Sequence, residues 1–233
     1  MQNSVAYFHF ASLTLHVFIS CKYLGVIFDF FFGQYADYSS ADTLLEITAV
    51  IFGFMSVWYS KQNKIWVFPT GMISTSIFVY LLLKWELLGD MMINGYYFIM
   101  SIYGWYIWTK KVNDTEMTPI SITSLQEKKI GIVIFIATLF FVYIVYKTFD
   151  KWTGWVAYID TITTAIFFVG MWLMAKKKIE NWIFWIVGNI ISVPLYFYKG
   201  FTFTSFQYLG FTFIAIAGYY AWKKTLDKKT LIS

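Results

Sequence analysis

Gly104-Trp105-Tyr106-Ile107-Trp108-Thr109-Lys110 and Gly218-Tyr219-Tyr220-Ala221-Trp222-Lys223-Lys224 close two apolar runs in the same way, 114 residues apart. Sliding the chain on itself by that distance also sets Glu46 on Asp160 and Trp58 on Trp172, and a slip of two more residues sets Tyr80 on Tyr196. A carboxylate inside an apolar helix is costly and is kept only for a reason. Two of them at one depth in two halves therefore point to an internal duplication.

The composition says where such a duplication lives. The 233 residues are 59% hydrophobic, 23% aromatic and 13% charged, whereas soluble domains run near about 45–50% apolar and 25% charged. This is the composition of a bilayer protein. A crossing takes about 20 mostly apolar residues, and lysine-bearing gaps cut the chain into seven such pieces, at 42–60, 65–83, 88–109, 130–149, 155–175, 181–198 and 201–222. The polar connection from Lys110 to Lys129, with Pro119 in it, joins the halves. The expected organisation is an N-terminal segment over 1–41, a first three-helix repeat over 42–109, a loop and linker helix over 110–154, a second repeat over 155–224 and a tail over 225–233. Val5 to Ile19 is short for a crossing, Lys22 and Asp29 interrupt the longer run, and no basic stretch precedes it. The segment reads as a helix in the outer interface rather than a cleaved leader, with an eighth span as the alternative. His9 and His16, seven residues apart within it, read as two interfacial histidines on one face.

All 18 basic residues are lysines and the net charge is +5. In a membrane protein such an excess reports orientation rather than nucleic-acid binding. Thirteen lysines fall in the gaps after helices 1, 3, 5 and 7, and four in those after helices 2, 4 and 6. The lysine-rich side is the expected cytoplasmic side, which places the C-terminus inside. Because a single helix separates the triplets, helix 5 enters from the same side as helix 1. The expected fold is all-α, three plus one plus three, with parallel repeats related by an axis along the membrane normal and a substrate path between them.

Polar residues in the spans nominate the site. In Asn181-Trp182-Ile183-Phe184-Trp185-Ile186-Val187-Gly188-Asn189, spacings of three and four put Trp182, Trp185 and Asn189 on one stripe. Two indole faces beside a mid-membrane amide suit a flat ligand. They equally suit an interface belt with the amide as inter-helix glue. Helix 3 carries Asp90, Asn94, Tyr97 and Ser101 on another stripe, and helix 7 offers Thr204 and Gln207 at a depth matching Asn94. Glu46 and Asp160 lie one turn inside the outer surface, where a pathway role competes with simple inter-helix bonding. Pro69 and Pro194 are expected to bend helices 2 and 6.

Absences narrow the chemistry. No lysine lies between Phe201 and Trp222, so the last helix has no candidate for a retinal Schiff base. Both histidines and Cys21, the single cysteine, sit in the first 21 residues. The spans therefore lack a histidine base, a thiol nucleophile and transition-metal ligands beyond carboxylate. An enzyme is a poor fit, no cofactor is called for, and with no arginine fork nothing is built to grip a phosphate within the spans. Aromatic walls, amides and carboxylates suit instead a flat ring, cationic and hydroxylated, held by stacking, cation–π attraction and hydrogen bonds.

The stripe Trp182, Trp185 and Asn189, the segment Phe68-Pro69-Thr70-Gly71, Leu88-Gly89-Asp90 leading into Tyr103-Gly104-Trp105-Tyr106-Ile107-Trp108, and Gly218-Tyr219-Tyr220-Ala221-Trp222 resemble the PnuC family of bacterial vitamin transporters over about residues 42–224. The resemblance implies a fold related to SWEET sugar transporters, a homotrimer in the inner membrane, and facilitated uptake of nicotinamide riboside trapped by a cytoplasmic riboside kinase. It also implies that Trp182 and Trp185 stack on the base and Asn189 bonds its carboxamide. Stripe and depth add Asn94, Gln207, Glu46 and Tyr97 as further substrate contacts, with Asp160, Asp90 and Ser101 along the pathway. Thiamine and riboflavin carriers share the superfamily, and a non-transporting scaffold is the alternative from another class.

Overall fold

The computed structural model describes residues 25–26, 39–85, 88–112, 116–150, 152 and 154–230. The N-terminal segment, with His9, His16 and Cys21, lies almost wholly outside these residues. Seven long helices follow: α1 (Ser40–Lys61), α2 (Val67–Lys84), α3 (Leu88–Thr109), α4 (Leu125–Thr148), α5 (Gly154–Ala175), α6 (Asn181–Tyr198) and α7 (Thr202–Thr230). Between α3 and α4 a two-residue antiparallel pair joins β1 (Lys111–Val112) to β2 (Glu116–Met117). Five helices, α1, α2, α4, α5 and α6, are long and apolar enough to cross a membrane.

Local chemistry sets the helix limits. Ser39 caps α1 by accepting from the Asp42 backbone N–H at 3.1 Å. Helix α4 begins five residues before the expected start because Ser124 and Glu127 form a capping box, each side chain accepting from the other's backbone N–H at 3.3 and 2.9 Å. Helix α7 runs eight residues past its expected end, since Lys223 to Thr230 contains neither glycine nor proline to stop it. The expected bend at Pro69 is corrected. It is the third residue of α2, where a backbone N–H has no intrahelical partner to lose, so the ring costs the helix nothing there. Pro194 does lie inside α6, and the Ser205 hydroxyl of α7 donates to the neighbouring Val193 carbonyl at 2.7 Å.

Packing runs α1 on α2, α2 on α3, α3 on α5, α5 on α6, α6 on α7 and α7 back on α1, which closes six helices into a ring. Helix α4 lies against α5 with most of its surface exposed. The two halves meet through an exchange of bonds. The Trp108 indole N–H donates to the Met174 carbonyl at 3.2 Å, and the Trp222 indole N–H donates to the Ser60 carbonyl at 3.0 Å. Both donors and both acceptors are one repeat length apart. The rings of Trp108 and Trp222 stand 5.9 Å apart and are 2% and 1% exposed. Around them gather Phe68, Met171, Met174, Ile179, Trp182 and Ala215, forming the core at the lysine-rich end of the bundle.

Gly104 and Gly218 allow this closeness. A Cβ on Gly104 would enter the Phe68 ring, and one on Gly218 would stand 2.6 Å from the Trp182 ring. Phe68 and Trp182 are themselves repeat partners. Gly218→Ala is expected to destabilise the protein by about 1–3 kcal/mol through overpacking, although alanine favours helix by about 1 kcal/mol. Thermal unfolding in detergent checks it, and an unchanged or raised midpoint would contradict the close approach.

Candidate functional site

Above the tryptophan core, toward the other end of the bundle, aromatic rings from four helices converge. Trp185 of α6 stands 5.4 Å from Phe167 of α5 and 6.3 Å from Tyr97 of α3. Phe168 stacks on Tyr96 at 3.8 Å, and the Tyr96 hydroxyl donates to the Phe168 carbonyl at 3.0 Å, fixing α3 against α5. Tyr208 of α7 stacks on Phe167 at 6.0 Å and meets Tyr196 at 4.9 Å. Asn189 lies on the Trp185 face of α6, one turn on, and is 2% exposed. A buried amide holds two donors and an acceptor that cost free energy when unmade. Gly188 beside it admits the Phe167 ring, which no larger residue would allow.

Trp185, Asn189 and Tyr97 are thus brought together. Trp182 lies one turn further toward the lysine-rich end, inside the tryptophan core, edge-on to Trp222 at 5.5 Å, with its buried indole N–H unpartnered. Asn94 turns its amide back on its own helix, donating to the Asp90 carbonyl at 3.0 Å. Ser101 is buried and likewise donates to the Tyr97 carbonyl at 2.8 Å. Gln207 and Glu46 are half-buried on α7 and α1, and one Glu46 carboxylate oxygen is fully covered.

Asp160 is 9% exposed and held by the Lys199 ammonium at 2.9 and 2.7 Å, with the Tyr146 hydroxyl at 3.5 Å. The Asp90 charge interacts with both members of that pair. In the first half Lys84 holds Asp42 in the same manner at 2.8 and 2.7 Å, tying the start of α1 to the end of α2 as Asp160 and Lys199 tie α5 to the end of α6. Asp160→Asn leaves a partly covered ammonium without its counter-charge and is expected to cost about 1–2 kcal/mol. Asp42→Asn is expected to lower the melting temperature less, because Lys84 is 46% exposed against 24% for Lys199. Equal shifts would contradict this ranking.

Sequence reasoning missed Tyr96, Phe167, Phe168, Tyr196 and Tyr208. Their one signal was the repeat slip that picked out Tyr196. It also counted Lys199 only as an orientation marker. A larger apolar groove, about 470 Å³, runs beside Pro194 between α6 and α7, lined by Val193, Phe197, Phe206 and Leu209. It offers an almost wholly aliphatic and aromatic wall to a ligand, while Asn189 and the rings of the junction lie elsewhere.

Comparison with known proteins is consistent with this architecture. A crystal structure of the vitamin B3 transporter PnuC superposes with a TM-score of 0.61 over 94% of this chain and 93% of that one, at 21% identity, which establishes the fold. The nicotinamide riboside transporter PnuC of Escherichia coli K12 is 22% identical over 205 residues, covering 76% of this chain and 84% of the relative. The riboflavin/roseoflavin transporter RibM of Streptomyces davaonensis is 21% identical over 179 residues, covering 74% and 81%. Residues 43–224, nearly every residue of the helical ring, match the profile of one family, and this chain belongs to the nicotinamide mononucleotide transporter family.

Proposed function

We propose that the chain carries nicotinamide riboside across the bacterial cytoplasmic membrane by facilitated diffusion, with no ion gradient and no chemical step on the vitamin. The observation that carries this reading is the junction of Trp185, Tyr97 and Phe167 beside the buried Asn189, in a chain that matches the family over most of its length. A pyridinium is a flat cation. Indole and phenol faces attract it through their quadrupoles, and an asparagine amide is complementary to a ring carboxamide, donor to acceptor on each side. Trp185 stacks on the base, Asn189 bonds the carboxamide, and Trp182 offers its free indole N–H one turn below when the core parts. Asn94, Gln207 and Glu46 face the ribose, while Asp90, Asp160 and Ser101 border the way in.

The architecture in this reading is three plus one plus three, SWEET-like, with α1–α3 and α5–α7 as parallel repeats and α4 as linker. The six-helix ring and the exchanged tryptophan bonds support it. The lysine-rich end with the C-terminus faces the cytoplasm, and the assembly is a homotrimer surrounded by lipid. A cytoplasmic riboside kinase would trap the entering vitamin as a charged product, so downhill carriage suffices.

Similarity to RibM favours a second reading, riboflavin as cargo. Titration calorimetry of the purified protein with nicotinamide riboside, riboflavin and thiamine separates the two. Saturable binding of the riboside, undisturbed by excess of the other two, is expected. Riboflavin binding that excludes the riboside would replace the first reading by the second.

A further inference from the structure

The lysine-rich end of the bundle holds a second cavity, about 290 Å³, lined by Asn63, Thr118, Pro119, Ile120, Lys177, Thr225 and Leu226. Asn63 and Lys177 are one repeat length apart, and both have left-handed backbone, with φ of 56° and 59°. Asparagine adopts that conformation readily and lysine does not. The halves therefore present matched positions to one cavity, and a strained lysine occupies the second of them. The cavity lies against the exchanged tryptophans, because the Lys177 ammonium stands 4.5 Å over the Trp108 ring.

Lys177 is 5% exposed and forms no ion pair among the described residues, although Lys84, Lys178 and Lys199 all do. Burial alone pushes its ammonium down to about 8. Its backbone is fixed on both sides: its N–H donates to the Met174 carbonyl at 2.9 Å, and its carbonyl accepts from the Ser121 N–H at 3.1 Å. The Thr118 hydroxyl donates to the Ile107 carbonyl of α3 at 2.7 Å, and the Thr225 hydroxyl to the Ala221 carbonyl of its own helix at 3.1 Å. Lys177 and Asn63, drawn from opposite halves, both line the cavity. Among the described residues this buried cation meets an aromatic face and no counter-ion.

We propose that this cavity is an anion site that takes a small soluble phosphate monoester, held by Lys177 with Asn63 opposite, and that the bound anion ties the two halves together beneath the tryptophan core. A phosphate carries the charge a lone ammonium lacks and the acceptor oxygens that an amide can meet. The site is separate from the aromatic junction and does not depend on what that junction binds.

The test is titration calorimetry and thermal unfolding of the full chain in phosphate-free detergent buffer, with ribose 5-phosphate, inorganic phosphate and, as the uncharged match, ribose. Ribose 5-phosphate is expected to bind saturably and to raise the melting temperature, with ribose inert. Lys177→Met, which keeps the side-chain length over Trp108, is expected to fold and to lose that response at least tenfold. Asn63→Asp, which tolerates the same backbone and supplies a carboxylate in place, is expected to be stabilised and to lose the response as well. A response unchanged in Lys177→Met, or none in the native chain, would overturn the site. A Lys177-dependent gain seen in nanodiscs of phosphatidylglycerol but not in phosphatidylcholine with ribose 5-phosphate would overturn the soluble source and assign the site to a lipid headgroup.

Discussion

Trp185→Ala is expected to weaken riboside binding by about 2–4 kcal/mol, roughly 30- to 1,000-fold, by removing a large aromatic anchor from a desolvated junction. Its ring is the one that faces both α3 and α5, at 6.3 Å from Tyr97 and 5.4 Å from Phe167. Phenylalanine at the same position retains a stacking face and is expected to recover most of the affinity. Asn189→Ala should cost about 1.5–3 kcal/mol of affinity, the range for hydrogen bonds to a charged partner, while leaving stability unchanged. Separate measurement of melting temperature and calorimetric affinity decides between ligand contact and helix glue. An amide serving as glue would lose stability and keep affinity, and that result would remove Asn189 from the site.

The second large effect falls on stability. Trp222→Ala deletes a ring that is 1% exposed, packs edge-on against Trp182 at 5.5 Å, and bonds the Ser60 carbonyl across 162 residues of chain. Large-to-small changes at such a site cost about 3–5 kcal/mol. Within a bilayer that loss is mainly one of packing, since lipid is as apolar as the ring. Trp108→Ala should cost a similar amount, since the Trp108 bond to Met174 is its counterpart in the other half. Trp222→Phe keeps a ring and loses the hydrogen bond, so about 1–2 kcal/mol is expected. Unfolding curves in detergent measure all three, and a Trp222→Ala protein that melts with the native one would show that the exchanged bonds do not hold the halves together.

The duplication was legible because its markers are rare residue types at one spacing. Trp108 and Trp222 align at that spacing, and they are the pair whose indoles bond across between the halves. Helix number followed from hydropathy alone. The ends were less legible, since a capping box at Ser124 and Glu127 adds a turn that no apolar count contains, and Lys223 to Thr230 continue a helix in polar residues. Pro69 was misread because the cost of a proline depends on its place in the helix, which sequence fixes only to within a turn. The aromatic junction was half visible. Asn189 stands out as an amide among apolar residues, whereas Tyr196 and Tyr208 are hidden in a chain that is 23% aromatic. The same offset sets Phe167 and Trp185 on Gly53 and Gly71 of the first half, and the packing shows the consequence, rings in the second half and a close α1 to α2 approach in the first. The two halves match at the tryptophan core and differ at the aromatic junction.

Carriage itself is tested most directly by counterflow in proteoliposomes. Vesicles loaded with unlabelled nicotinamide riboside, with no ion gradient and with ionophores present, should accumulate external labelled riboside transiently and saturably, and Trp185→Ala vesicles should not. Accumulation that does not saturate, that vanishes with ionophores, or that matches protein-free vesicles would contradict a facilitated carrier of this vitamin.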